Sequence, residues 1–243
     1  MQDIAKRAFE EGRPWPHGKG FYVQYRDESG AELWLQFDRQ KQLVDLHPHF
    51  FSKEDTPTCL TAQIPSPTNE HEGSYFAVSF PAHEDNPDSG RFPFMFDVPD
   101  YLCTSDQVSM PVSSLVQLVA FAQQFDTYAS KGQLKKVTGQ KPLSVIPVGL
   151  LGPDGDVAER PKAIVEMTGT VASVSTRENA MTNQPFGLLD VNIDGGTMTI
   201  VLPHAELMRC APQPGHAFSG RFWMSGRLPV RKKGFFERFR QLF

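Results

Sequence analysis

Apolar and polar residues alternate through the last third of this 243-residue chain, and that period of two limits the region to β-strands. In Ala163–Ser175 the apolar residues largely share one parity, and Gly169 interrupts the run. A glycine inside a long strand is typical of a bend that lets one strand serve both sheets of a small barrel. Two further alternating runs flank Gly195-Gly196, a dipeptide that favours a two-residue hairpin. They are Gly187–Asp194 and Thr197–Leu202.

This order of elements resembles the oligonucleotide/oligosaccharide-binding (OB) fold. After the hairpin, a short helix is predicted over Pro203–Cys210 and a last strand over Gly215–Arg227. The segment GTVASVSTRENAMTNQPFGLLDVNIDGGTMTIVLP is similar to the first three strands of OB modules. The resemblance covers Ala163–Leu228 and implies a five-stranded barrel. No fifth strand follows Leu228, so either Leu143–Leu151 closes the barrel or closure is incomplete.

The first 150 residues predict an antiparallel sheet backed by a long helix. Met1–Glu11 has helical spacing, and the aromatic-rich runs Phe21–Arg26 and Glu32–Phe37 surround a glycine-containing turn, which predicts a hairpin. Pro111–Lys131 predicts the long helix, because its apolar residues follow the i, i+3, i+4, i+7 pattern and Pro111 fits a first turn. The predicted fold class is therefore α+β. The remaining predicted strands are Leu43–His47, Thr58–Ile64, Ser74–Phe80, Phe92–Val98 and Leu143–Leu151.

Charge divides the chain unevenly. Residues 1–159 carry 13 Lys and Arg against 22 Asp and Glu, whereas residues 160–243 carry 11 against 6. The asymmetry supports two units with different partners or a mutual interface, although mixed surfaces also drift by a few charges. We predict an acidic α+β domain over residues 1–150, a linker over 151–162, an OB-like barrel over 163–228 and a basic aromatic tail over 229–243.

A candidate binding surface lies on the last strand of the predicted barrel. Arg221, Trp223 and Arg227 share the parity opposite the predicted core residues, and Arg177 in the first loop is predicted to approach them. A tryptophan between two arginines is a platform on which the bases of single-stranded nucleic acid stack. The neighbouring acidic and amide residues oppose phosphate binding. A second reading is that Trp223 packs against the N-terminal domain or the tail. The opposing residues are Asp190, Asn192 and Asp194.

The tail PVRKKGFFERFRQLF predicts a cationic amphipathic helix. Its aromatic and apolar residues fall on one helical face, with five Lys and Arg residues around the other. Such a helix docks on its own domain, binds a partner's groove or lies on an anionic membrane surface, and the sequence leaves all three open. The predicted docking residues are Phe235, Phe236, Phe239, Leu242 and Phe243.

Catalytic signatures are weak throughout the sequence. The first half contains potential metal ligands, but none has a recognised metal-binding spacing. Gly149–Gly155 lacks the Lys-Ser/Thr of a phosphate loop, and no Gly-x-Ser-x-Gly elbow occurs. Cys59 and Cys103 are conceivable nucleophiles, although buried thiols are commoner. We predict no catalytic residue, metal or cofactor. The potential ligands are His47, His49, His71, Glu72, His83, Glu84 and Asp85.

The sequence therefore favours a non-enzymatic binding or assembly protein that docks on other proteins through the barrel and the tail. Single-stranded nucleic-acid binding is the first alternative, and a metal-dependent hydrolase is the second. Three widely spaced cysteines and an N-terminus without an apolar signal region predict a cytoplasmic location. A protein partner or self-association is expected, and nucleic acid or a membrane surface are further possible partners.

Overall fold

A computed structural model describes residues 2–52, 55–81, 86–150 and 161–228. These residues form four short α-helices and thirteen strands, and the longest helix among them has ten residues. The elements are α1 Gln2–Glu11, β1 Arg13–His17, β2 Gly20–Arg26, β3 Ala31–Asp38, β4 Leu43–Phe50, β5 Thr56–Pro65, β6 Gly73–Ser79, β7 Pro93–Asp97, α2 Tyr101–Thr104, β8 Val112–Tyr128, α3 Lys131–Thr138, β9 Ser144–Val148, β10 Ile164–Asn179, β11 Gln184–Ile193, β12 Gly196–Pro203, α4 His204–Cys210 and β13 Ala217–Arg227.

The predicted α+β fold class is wrong, because the predicted long helix is a strand. β8 has 17 residues and lies within Pro111–Lys131. A β-bulge explains the misleading pattern: Gln124 pairs with Arg221 and Ala122 with Phe222, which leaves Gln123 without a pairing position. The extra residue reverses the inside–outside alternation of the strand, so its buried positions no longer follow a period of two.

Burial on both faces of β8 adds to the helical appearance. Leu118, Val119 and Ala120 are all buried, although neighbouring residues of a strand point to opposite faces. Val119 pairs with Ser225, and the Oγ atom of Ser225 is 2.8 Å from Nδ1 of His49 in β4. The small N-terminal sheet therefore covers one face of β8 while the main core covers the other.

The N-terminal sheet is antiparallel, with the order β1-β2-β3-β4. The predicted hairpin is present, with Arg26 opposite Glu32 at the turn of β2 and β3. Helix α1, also predicted, packs Ala8 into an apolar cluster with side chains of β2 and β3. The sheet thus has one face under α1, and its other face is directed to the rest of the molecule through Tyr22 and Trp34, which are fully buried.

The second sheet is mixed and has nine strands. Five of them form a closed cycle of pairings, β10-β11-β12-β8-β13 and back to β10, in which β12 and β8 run parallel. We call this cycle the first ring. Its alternating apolar residues are buried in one cluster, as the sequence pattern predicts. They include Val165, Met167, Val171, Leu189, Val191, Ile193, Met198, Ile200, Leu202, Phe218, Phe222 and Met224.

A second closed cycle shares two strands with the first ring. Strand β8 pairs with β5, β5 with β6, β6 with β7, and β7 with β13 through Ser225 and Asp97. The pairing of β8 with β13 completes this second ring. Strand β8 pairs with β12 and β13, and β9 pairs with β10. Strands before residue 151 and strands after residue 162 therefore belong to one sheet.

Gly169 lies where β10 leaves β13 and joins β11. Thr170 pairs with Ala217 of β13 and also with Asn192 of β11. A Cβ atom on Gly169 would meet the Asn192 carbonyl oxygen and lie 2.6 Å from Cε1 of Phe218. A glycine is therefore required because the backbones approach each other closely.

Among the helices of the described residues, none is both long and apolar enough to cross a membrane.

Candidate functional site

A cleft of about 680 Å³ lies where the small sheet meets the second ring. We call it the junction cleft. Its walls come from β4, the β5–β6 hairpin, β7, the residues before β10, and Trp223 of β13. Pockets of this size at the meeting of separate structural units are typical ligand sites. The polar residues in its lining are Asp97, Glu72, His47, Ser66, Thr68, Ser74 and Lys162.

Asp97 is fixed at the end of β7 by two hydrogen bonds. Its Oδ1 atom accepts from the Ser74 hydroxyl at 2.5 Å, and its Oδ2 atom accepts from Nε1 of Trp223 at 2.6 Å. Charge-assisted bonds of this kind are short and strong. Each carboxylate oxygen has a second lone-pair direction, so Asp97 retains capacity to accept from a bound group.

Glu72 lies in the loop before β6, and the protein favours its protonated form. Burial, together with repulsion by the Asp45 carboxylate and by Asp97, raises the pKa of Glu72 to about 7. Glu72 also shares a hydrogen bond with Asp45 and receives one from Asn69. Near neutral pH the Glu72 carboxyl is therefore about half protonated.

The loop that carries Glu72 is fixed by its own sequence. The backbone N–H of Ser66 donates to the Glu72 carbonyl at 3.0 Å, which closes the hairpin. Asn69 accepts from the His71 N–H at 3.0 Å and donates its side-chain amide to Gln36 of β3 at 3.0 Å. This turn of Ser and Asn residues therefore ties the cleft wall to the small sheet.

His47 lines the cleft from β4 and is only 9 % exposed. Its ring lies 5.3 Å from the ring of Trp223, and no group in the described residues hydrogen-bonds to its Nε2 atom. Burial lowers the pKa of His47, although Asp97, Asp100 and Asp45 oppose the effect. His47 is therefore neutral, and one of its ring nitrogens is an acceptor.

Trp223 forms part of an internal interface. Its ring stacks on Phe121 at 5.0 Å, while its indole N–H is bonded to Asp97. Together with the contact to His47, these bonds place Trp223 between the rings and the N-terminal sheet. This agrees with the second reading of Trp223 offered by the sequence.

The three predicted arginines lie in different surroundings. Arg227 is 12 % exposed and forms an ion pair of 2.9 Å with the fully buried Asp100. Arg221 is half-buried on β13 opposite Glu166. Arg177 is exposed on β10 opposite Phe186, well along the strand from position 166. The structure therefore brings Trp223 and Arg227 to the junction, and it does not bring Arg177 to them.

Several predicted features fall partly outside the described residues. The docking residues of the tail, Phe235–Phe243, and most of the predicted linker lie outside them, as do residues 83–85. Within the described residues, no group of three or more His, Cys, Asp or Glu is placed to hold a metal ion. Asp97 and the cleft itself were missed by sequence reasoning, and Glu72 was considered only as a potential metal ligand. The residues of this wall meet only through long-range strand pairing.

The thiols are not activated as nucleophiles. Cys59 is fully buried, and burial raises the pKa of the Cys103 thiol well above its ordinary value. Burial also raises the pKa of Cys210, although Arg209 opposes the effect. Because the thiolate is the reactive form, these environments disfavour nucleophilic chemistry.

Comparisons with known proteins give little further information. No protein-family model matches the chain, and no curated protein matches its sequence. Among solved structures, one similar chain is the cytoplasmic molybdate-binding protein ModG in a crystal form with molybdate bound. The match covers 74 % of this chain and 97 % of the ModG chain, at 12 % sequence identity and a TM-score of 0.39. A likeness this distant supports no conclusion about ligand or function.

Proposed function

We propose that this protein is a non-catalytic binding protein and that its ligand occupies the junction cleft. The observation that carries the proposal is the convergence of Glu72, Asp97 and His47 in one cleft of about 680 Å³. Two of these groups have pKa values shifted by burial, and shifted groups in a cleft are typical of functional sites. The three residues come from separate elements, so the fold specifically assembles this wall.

The bonding of the polar groups favours binding over catalysis. Asp97 is held on both oxygens by donors of its own chain, and Glu72 is hydrogen-bonded to Asp45. Groups fixed in this way orient a ligand well. The raised pKa values of Cys103 and Cys210 add support, because they leave these thiols protonated. The structure thus supplies a preorganised surface rather than an activated nucleophile.

We further propose that the first ring is an OB-type barrel and acts as the scaffold. The resemblance in Ala163–Leu228 required a fifth strand that the sequence does not offer there. Strand β8 supplies a fifth strand from earlier in the chain, by pairing with β12 and β13. Docking of protein partners on this ring and on the tail remains the proposed wider role. None of the three cysteines forms a disulfide in the described residues, which supports a reducing, cytoplasmic compartment.

Single-stranded nucleic-acid binding has weaker support as a second candidate. The Trp223 ring is occupied by Phe121 and His47, and Arg227 is committed to Asp100. A stacking platform needs a free aromatic face and cations aimed at phosphates. Arg221 and Arg177 alone leave little of the electrostatic attraction that such binding requires.

Fluorine NMR of the full chain labelled with 5-fluorotryptophan tests the proposal. The chain has three tryptophans, of which Trp223 lines the cleft and Trp34 is fully buried in the small sheet. Benzylamine, benzyl alcohol and benzoate serve as probes of similar shape that are cationic, neutral and anionic, respectively. We expect at least one probe to shift the Trp223 resonance saturably while the Trp34 resonance stays in place.

A blocking variant with a matched control makes the test specific. Thr68 is exposed at the cleft, so Thr68→Phe fills its mouth, whereas Thr176→Phe places the same ring on an exposed position of β10. The saturable shift should disappear in the first variant and persist in the second. If none of the three probes moves the Trp223 resonance, the cleft is not a binding site and the proposal fails.

A further inference from the structure

The junction cleft presents hydrogen-bond acceptors on one side. Asp97 and Glu72 contribute carboxyl oxygens, and neutral His47 contributes a ring nitrogen. An ammonium group carries three N–H donors and no acceptor. A wall that combines two carboxyls with an imidazole nitrogen therefore matches an ammonium group better than it matches an anion or a neutral alcohol.

His47 is independent evidence for a ligand at this wall. The side chain is nine-tenths buried and lines the cleft, yet no group among the described residues hydrogen-bonds to Nε2. Leaving a buried polar atom without a partner costs about 1–3 kcal/mol, so native structures usually provide one. A donor from a ligand would satisfy this nitrogen.

The acidic groups of the cleft, Glu72 and Asp97, form no ion pair with a Lys or Arg among the described residues. Lys162 is the cation among the lining residues. Carboxyls that repel one another in a partly desolvated cleft are stabilised by a cation placed between them.

Apolar surfaces face these polar groups. Met95, Val98 and Ile164 line the cleft together with the ring of Trp223. Four prolines, Pro48, Pro65, Pro67 and Pro161, complete this rigid part of the lining. A ligand that fits must therefore carry an apolar or aromatic body beside its charged end.

We propose that the junction cleft binds a primary amine in its ammonium form, carried on an apolar or aromatic body and held by Asp97, Glu72 and His47. This inference rests on the proposed function, because it names the ligand class of the same cleft. The ammonium group donates to the two carboxylates and to the histidine nitrogen, while the body lies against Trp223 and the prolines.

Binding of the ammonium group releases a proton from the cleft. The charged and titratable groups that line the cleft or adjoin Glu72 are Asp45 and His47 of β4, Asp97 of β7, Lys162 before β10, and its loop neighbours Glu70 and His71. Because the pKa of Glu72 lies at about 7, its carboxyl is mostly protonated at pH 6. A bound cation favours the ionised form, so Glu72 loses its proton and affinity rises with pH.

Isothermal titration calorimetry of the full chain with benzylamine, benzyl alcohol and benzoate tests the ligand class. Charge-assisted bonds should make benzylamine bind at least about tenfold more tightly than benzyl alcohol at pH 8, with benzoate weakest. Affinity for benzylamine should fall by several-fold at pH 6, and heats measured in two buffers of different ionisation enthalpy should show proton release. Glu72→Gln should remove both the pH dependence and the proton release, whereas Glu70→Gln outside the cleft lining should keep them.

Each outcome of this titration decides between the two proposals. If benzyl alcohol or benzoate binds as tightly as benzylamine, the cleft binds ligands but the ammonium class is wrong. If benzylamine binds tightly with no pH dependence, the role of Glu72 is wrong. If none of the probes binds, both this inference and the proposed function fail.

Discussion

The guanidinium of Arg227 lies 2.9 Å from Oδ2 of Asp100, and the Asp100 side chain is completely buried. The same guanidinium sits 4.4 Å from the centre of the Trp34 ring, which belongs to the small sheet. Burial opposes the charge on Arg227, but Asp100 and Glu32 outweigh it and raise its pKa. This arginine therefore links the end of β13 to both the α2 region and the N-terminal sheet.

Removal of the Arg227 charge should strongly destabilise the protein. Arg227→Met leaves Asp100 as an unpaired buried charge, and breaking such a pair typically costs about 3–5 kcal/mol. The exposed pair Lys19–Glu70, at 3.0 Å, is the matched control, and Lys19→Met should cost less than about 1 kcal/mol. Urea unfolding measures both free energies.

The double variant Arg227→Met with Asp100→Asn tests whether the unpaired Asp100 carboxylate causes the loss of stability. If the loss comes from the unpaired carboxylate, neutralising Asp100 recovers much of it. If Arg227→Met costs no more than Lys19→Met, the pair does not hold the two sheets together.

The sequence predicted local structure well where one face of a strand is buried. Thr197–Leu202 and Gly187–Asp194 alternate cleanly, because one side of each strand faces the interior of the first ring. In β8, the bulge at Gln123 and burial on both faces produce helix-like spacing from a strand. A pattern read along one segment cannot reveal which other segments cover it. The sequence therefore did not reveal that β8 closes the first ring.

The candidate site was hidden for the same reason. Trp223 was recognised as unusual, but its partners Asp97 and His47 are far away in the sequence. Glu72 stands in a polar loop, where solvated charge is the ordinary expectation. Only the pairing of β7 with β13 and the docking of β4 bring these residues together.

Substitution of Gly169 should disturb the bend of β10. In Gly169→Ala the new methyl group meets the Asn192 carbonyl oxygen and the Phe218 ring, so a loss of about 1–3 kcal/mol is expected. Gly132 in α3 is the control, since the nearest atom to its new Cβ is Ser130 Oγ at 3.7 Å. Gly132→Ala should stabilise by up to about 1 kcal/mol. The unfolding temperatures of the two variants should therefore shift in opposite directions. Equal shifts would show that the structure around Gly169 accommodates the new methyl group.

Relative to the wild type, Glu72→Gln should stabilise the protein more at alkaline pH than at acidic pH. The pKa of Glu72 is about 7 in the fold against 4.5 ordinarily, so its favourable contribution is complete below 4.5 and lost as pH rises through 7. Glutamine does not titrate and avoids this loss. Because Glu72 is only partly buried, we expect a difference on the order of 1 kcal/mol between pH 5 and pH 8.

Glu70→Gln provides the comparison for this measurement. The hydrogen bond and charge of Lys19 lower the pKa of Glu70, so its contribution has the opposite sign and is lost as pH falls. Urea unfolding at the two pH values should show gains for Glu72→Gln at pH 8 and none for Glu70→Gln. A pH-independent effect of Glu72→Gln would contradict the raised pKa.

Protonation of His17 should weaken the small sheet in acid. Burial lowers the pKa of His17 to about 4, with repulsion from His71 and Lys19 adding to the effect. The folded protein therefore binds fewer protons than the unfolded chain below pH 6.5, and its stability falls from pH 6.5 towards pH 4.

The His17 and His71 rings are 5.4 Å apart, and His17 Nδ1 accepts from the Lys19 N–H at 3.2 Å. His17→Asn keeps an acceptor for that N–H but removes the titrating group, so it should lessen the acid loss by on the order of 1–2 kcal/mol. The variant is compared with the wild type by urea unfolding at several pH values between 7.5 and 4. Parallel stability curves across that range would show that His17 does not control the acid sensitivity of the sheet.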